Sequence, residues 1–187
     1  MKTGEKLRDW IFNQNTRRVG QIAEDIIQKL FNLEKGHNQF HDLYDPNSNS
    51  RIEVKSSIVQ EKHKNSSQLE TVIKELQNQT FTPKNRYIPF NDWQSYQFDC
   101  NIQQIKRDQF EVLYYVLFFY DKTLIFKMNS IDISTDDKIF YSNKQHKGNE
   151  GEGQFHINEK TLAYHYEKYL ERLLEYSEIV SLFPDSQ

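Results

Sequence analysis

The order of patterned segments in this chain, helix, hairpin, helix, hairpin, helix, predicts a mixed α/β (α+β) fold in which a central mixed β-sheet is flanked by helices. Three observations carry that expectation: a helical apolar stripe over about 18–31, a strand-like alternation over about 51–59, and an unbroken apolar run over about 111–120. With 187 residues the chain fits one compact domain, 1–187, better than two.

The first element follows from Val19, Ile22, Ala23, Ile26, Ile27, Leu30 and Phe31, which recur at helical spacing and predict a helix that ends near Gly36. At about 100° per residue, Glu24 falls about 20° beyond Phe31, at the margin of the apolar stripe. Two extended segments follow, about 39–44 and 51–59, joined by the turn-forming stretch Asp45-Pro46-Asn47-Ser48-Asn49-Ser50. A period of two places Arg51, Glu53 and Lys55 on one face of the second segment and Ile52 and Val54 on the other.

Ser67-Gln68-Leu69-Glu70 matches a capping box, and Leu69, Val72, Ile73 and Leu76 continue it as a helix over about 67–78. Residues 80–109 read as irregular. The run from Glu111 to Tyr120 predicts a strand buried on both faces, paired with Thr123–Ile133 across Asp121-Lys122. A polar loop over 142–154 then leads to a final amphipathic helix built on Leu162, Tyr166, Tyr169, Leu170, Leu173 and Leu174, running to about Ser181.

Charge and cysteine content narrow the function. A formal net charge of −3 argues against a protein that holds nucleic acid by bulk positive charge, although residues 54–107 are locally basic and 158–187 acidic. Cys100 is the single cysteine, which excludes an intramolecular disulfide framework and a multi-cysteine zinc cluster. The histidines show no zinc spacing. The longest apolar run, Val112 to Tyr120, is too short to span a bilayer, so no membrane association is expected.

The residues that carry chemistry lie in and around the first hairpin. Asp42 and Glu53 present hard carboxylate oxygens from neighbouring segments, Val54 offers a backbone carbonyl between them, and Lys55 shares the face of Glu53. Mg²⁺ takes such ligands, usually one or two carboxylates plus waters and phosphate oxygens. A lysine beside them can hold a phosphate or the attacking water of a phosphodiester hydrolysis. Glu-X-Lys by itself is a weak signal, because alternating charges on an exposed strand are common; the aspartate and the helix glutamate give it weight. Asp45, nearer to Glu53 in sequence, is the alternative aspartate, but it opens the turn, and Asp42 is preferred.

These residues, Asp42-Leu43 followed by Arg51-Ile52-Glu53-Val54-Lys55-Ser56-Ser57 and preceded by Gly20-Gln21-Ile22-Ala23-Glu24, resemble the PD-(D/E)XK nucleases, and within them the type II restriction endonucleases. The local resemblance covers about residues 18–60. It implies a restriction-endonuclease-like sheet, with Asp42, Glu53 and Lys55 catalytic and with metal held by Asp42 and Glu53, the Val54 carbonyl, and Glu24 through water. It further implies a Mg²⁺-dependent enzyme cutting double-stranded DNA at a short specific sequence, as a homodimer, in the cytoplasm of a prokaryotic cell, with a cognate DNA methyltransferase as genetic partner. A repair or junction-resolving nuclease of the same fold, and an inactive protein that binds DNA or a partner, are the alternatives. Candidate DNA contacts are Gln60, Lys62, Lys64, Lys84 and Arg86, together with a base-reading loop bearing Asn143, Lys144, Gln145, His146 and Asn149.

Overall fold

The computed structural model describes residues 2–37, 40–62, 70, 73–74, 77, 86–136, 138–139, 141–144 and 150–184. Helix α1 (Thr3–Phe12) leads into α2 (Thr16–Phe31), whose first turn is capped by the Asn15 side chain accepting from the Arg18 amide at 2.9 Å. The helix ends earlier than the position of Gly36 suggested. Asn32 adopts the left-handed conformation at φ 52°, which closes α2 and turns the chain into β1 (Glu34–Lys35).

The first hairpin forms between β2 (Leu43–Asp45) and β3 (Ser50–Ile58), with Leu43 opposite Ile52 and Asp45 opposite Ser50. The alternation along β3 is as expected: Ile52 and Val54 are 2% and 5% exposed, while Glu53 and Lys55 lie on the other face. Of the helix expected over 67–78, Glu70, Ile73, Lys74 and Gln77 are helical and the remaining residues lie outside the described set.

Within the stretch expected to be irregular, the described residues 86–109 are more regular than their composition suggested. They contain a 3₁₀ segment, Phe90–Ser95, a strand β4, Asp99–Ile105, and a single 3₁₀ turn, Arg107–Gln109. Strand β5 (Val112–Phe118) runs parallel to β3 and antiparallel to β6 (Thr123–Asn129). The second strand of that pair stops at Asn129, because a short helix α3 (Asp132–Thr135) takes over. The polar stretch 142–154 is not a plain loop: β7 (Tyr141–Lys144) and β8 (Glu150–Asn158) occupy most of it. The expected last helix is broken into α4 (Leu162–Tyr169), β9 (Leu170–Leu174) and α5 (Tyr176–Ser181), since Leu170–Leu174 pairs with β6 instead of continuing the helix.

These strands make a six-stranded sheet in the order β1-β2-β3-β5-β6-β9 and a three-stranded sheet in the order β4-β8-β7. In the larger sheet only the β3–β5 pair is parallel; the other described pairs are antiparallel. One face of that sheet packs against α1 and α2, with Ile52, Val54, Tyr114, Val116 and Phe118 meeting Val19, Ala23, Ile26 and Ile27. The other face packs against the small sheet and α4, where Leu113, Tyr115 and Leu117 meet Ile102, Phe155 and Leu162. Strand β5 is thus buried on both sides, and each of its larger side chains contributes about 1.5–3 kcal/mol of burial. Within this second core, Tyr115 and His165 share a 2.8 Å hydrogen bond, and the His165 ring stacks on Phe155. Among the described residues no helix is long and apolar enough to cross a membrane.

Candidate functional site

Three elements meet where β3 leaves the hairpin: the first turns of α2, the second half of β3, and the bulged strand β4. Between them lies a cleft of about 670 Å³ whose walls include Arg17, Gly20, Glu24, Asp42, Lys55 and Gln104. The cleft exists because β2 is short. β3 is nine residues long and β2 only three, so among the described residues no strand pairs with that edge of β3 beyond Leu43.

Asp42 fills part of that gap. Its amide donates to the Ile52 carbonyl at 3.0 Å, and its Oδ2 accepts from the Val54 amide at 2.8 Å. The Asp42 carboxylate therefore satisfies an edge donor that β2 would otherwise have paired. Asp45, by contrast, is committed to the turn: its carboxylate accepts from the Asn47 amide at 2.9 Å and the Ser48 hydroxyl at 2.7 Å, and these bonds hold its pKa below the usual value.

Lys55 lines the cleft, and its ammonium donates to Glu53, whose side chain is 13% exposed and lies behind it. Burial raises the Glu53 pKa; the positive charges of Lys55 and Lys106 oppose that shift and the negative charge of Asp42 adds to it. Glu24, half-buried on α2, is pushed up to about 7, first by burial and then by Asp42, with Lys35 and Lys55 opposing. Asp42 thus raises the pKa of a glutamate on each side of it. Both glutamates therefore hold their protons more tightly than an exposed carboxylate does.

Among the described residues no group of three or more His, Cys, Asp or Glu is arranged to hold a metal. A cation in the cleft would meet the Asp42 and Glu24 carboxylates at its wall, would reach Glu53 only if the Glu53–Lys55 bond opened, and would complete its shell with carbonyl and water oxygens. That pattern fits Mg²⁺, which keeps several waters, better than it fits a metal needing a full protein cage.

Of the candidate residues, Glu24, Asp42, Val54, Lys55 and Gln60 all border the cleft, and Glu53 sits directly behind Lys55. Lys62 lies away from it, 3.8 Å from Asp99. Arg86 is half-buried, its Nε is buried without a hydrogen-bond partner among the described residues, and it does not line the cleft. Asn143 and Lys144 are on β7; Lys64, Lys84, Gln145, His146 and Asn149 lie outside the described residues. Sequence reasoning missed Gln14, Arg17, Asn101, Gln103 and Gln104, which also line the cleft. Only the Arg17-Arg18 doublet at the start of α2 offered a signal for any of them.

The fold and site define a mixed α+β protein with a mostly antiparallel central sheet flanked by helices and a polar, acid-bearing cleft at its edge. Comparison with family models, with curated proteins and with solved structures finds no match for this chain.

Proposed function

We propose that this protein is a Mg²⁺-dependent type II restriction endonuclease that hydrolyses phosphodiester bonds of double-stranded DNA at a short specific sequence. The observation that carries the reading is the convergence of Glu24, Asp42 and Lys55 on one cleft, with Glu53 in contact with Lys55. The order helix, β2–β3 hairpin, crossover and parallel β5 accords with the resemblance of residues 18–60 to the PD-(D/E)XK nucleases.

Bound Mg²⁺ supplies charge neutralisation at the phosphate and lowers the pKa of a water. Asp42 and Glu53 would hold the ion, with the Val54 carbonyl as a further oxygen and Glu24 contributing through water. Lys55 then exchanges its bond to Glu53 for one to the phosphate or the attacking water, and orients that group for in-line attack. Arg17, exposed at the start of α2, contacts a flanking phosphate. A two-fold symmetric target requires two such sites, hence a homodimer, and a restriction role requires a DNA methyltransferase encoded nearby to protect the host, a prokaryotic cell with the enzyme in its cytoplasm.

A second reading, an inactive scaffold that binds DNA or a partner, is favoured by one observation: Asp42 caps the Val54 amide and Lys55 pairs with Glu53, so both act structurally without any metal. Incubating supercoiled plasmid with the protein and Mg²⁺ separates the readings. Discrete linear fragments support restriction, cutting confined to branched or damaged DNA supports a repair enzyme, and intact plasmid with Mg²⁺ or Mn²⁺ supports the scaffold.

A further inference from the structure

We infer that the bulged edge of β4 reads base edges of duplex DNA, with Gln104 as its specificity-determining residue. This rests on the DNA-cutting function proposed above and adds the part of the cleft that selects the sequence.

In a regular strand, successive side chains face opposite ways and each residue has a partner on the neighbouring strand. Strand β4 departs from that rule. Gln103 pairs with Gln154 and Ile105 with Gly153, which leaves Gln104 as an extra residue between them, at φ 60°. Bulges of this kind re-aim side chains and occur next to active sites. The left-handed conformation costs a residue bearing a Cβ about 1 kcal/mol or more, a cost that glycine would avoid. Gln104 is exposed, so core packing does not repay that strain. Gln104 stands on the cleft wall with Asn101, Ile102 and Gln103.

The chemistry of this wall differs from that of the opposite side. α2 and β3 carry Arg17 and Lys55, whose charges suit phosphate, whereas the β4 segment Asn101–Gln104 bears carboxamides and Ile102 and no charge. A carboxamide presents a donor and an acceptor side by side, the pattern that pairs with adenine N7 and N6 in the major groove. The wall is also partly ordered in advance: Asn101 Nδ2 donates to Gln154 Oε1 at 3.0 Å and to Gln103 Oε1 at 3.5 Å. Preordering lowers the entropic cost of a specific contact. The bulge is close to the acidic residues, because Gln104 lines the same cleft as Glu24 and Asp42.

The test is a selection from a randomised duplex DNA library in Ca²⁺ buffer, comparing wild type with Gln104→Gly, while plasmid cleavage in Mg²⁺ is measured in parallel. Glycine keeps the φ 60° backbone and removes only the amide side chain. The expected result is a wild-type motif containing an A·T pair whose discrimination falls about tenfold or more in Gln104→Gly. The melting temperature of the variant should be unchanged or higher. The same motif in both proteins, or no motif in wild type, overturns the inference whatever the cleavage result. Cleavage without selection leaves the proposed nuclease standing, and absence of cleavage counts against the nuclease alone.

Discussion

Asp42 has two separable jobs in this account, and two substitutions at the one position tell them apart. Its Oδ2 accepts from the Val54 amide at 2.8 Å, and its charge belongs to the site that would hold Mg²⁺. Asp42→Ala removes both. A hydrogen bond to a charged acceptor is worth about 1.5–3 kcal/mol, and the Val54 donor would be left without its acceptor at the strand edge. For a chain of this size that corresponds to a melting temperature lower by about 4–10 °C. Asp42→Asn keeps an oxygen for the Val54 amide, so the loss should be about 1 kcal/mol or less, or about 2–4 °C. Both variants should cut DNA at least about a thousandfold more slowly, because a neutral amide is a poor Mg²⁺ ligand. Thermal melts with and without Mg²⁺, alongside single-turnover cleavage of a labelled duplex, read the two effects separately. Wild type should gain stability with Mg²⁺ and Asp42→Asn should not. An Asp42→Asn protein that cuts within about threefold of wild type would refute the reasoning and leave Asp42 as an edge cap only.

Asp45→Ala should lose the turn bonds to Asn47 and Ser48, at about 1 kcal/mol, and leave the cleavage rate unchanged; a dead Asp45→Ala with an active Asp42→Ala would reverse the assignment. Gly20 sits within α2 on the cleft wall, and a Cβ there meets nothing within 4 Å, so Gly20→Ala should raise stability by about 1 kcal/mol, measured by denaturant melts. If DNA approaches the helix at this point, Gly20→Leu should weaken duplex binding, and unchanged affinity would exclude that approach. His165 is 1% exposed and its pKa is lowered by burial from 6.5 to about 4. Because the folded-state value is depressed, its contribution is fully present above about pH 6.5 and is lost as the pH falls towards 4, by up to about 3 kcal/mol. His165→Gln should lose that part of the pH slope, and equal slopes in the two proteins would show that His165 does not set it.

Much of the central architecture was legible because it follows one pattern at a time. The α2 stripe, the alternation of Ile52 and Val54 against Glu53 and Lys55, and the apolar run of β5 each repeat without interruption. Where the structure departed from expectation, a local irregularity had broken the period. In β4 the bulge at Gln104 puts two residues between Ile102 and Ile105 instead of one, which hides the alternation that Cys100 and Ile102 begin. In β9, Leu170, Leu173 and Leu174 have helical spacing, yet they pair with Phe126, Leu124 and Thr123 through a shifted register. Strands β7 and β8 are rich in Gly, Asn, Glu and Lys and draw their order from pairing in the small sheet, a long-range effect that no local window contains. For the site, the carboxylates and lysine were readable as a motif, whereas Gln14, Arg17 and the amides of β4 come together only through the packing of α2, β3 and β4.

The central claim is that this cleft hydrolyses phosphodiester bonds with Lys55 in a direct chemical role. The most direct measurement is the single-turnover cleavage of duplex DNA by wild type and Lys55→Ala, each with Mg²⁺ and with EDTA, with melts showing both proteins folded. The account predicts Mg²⁺-dependent cutting by wild type, none in EDTA, and a rate at least about a thousandfold lower in Lys55→Ala. A wild-type protein that leaves DNA intact with Mg²⁺ and Mn²⁺, or a Lys55→Ala protein that cuts as fast as wild type, would contradict it.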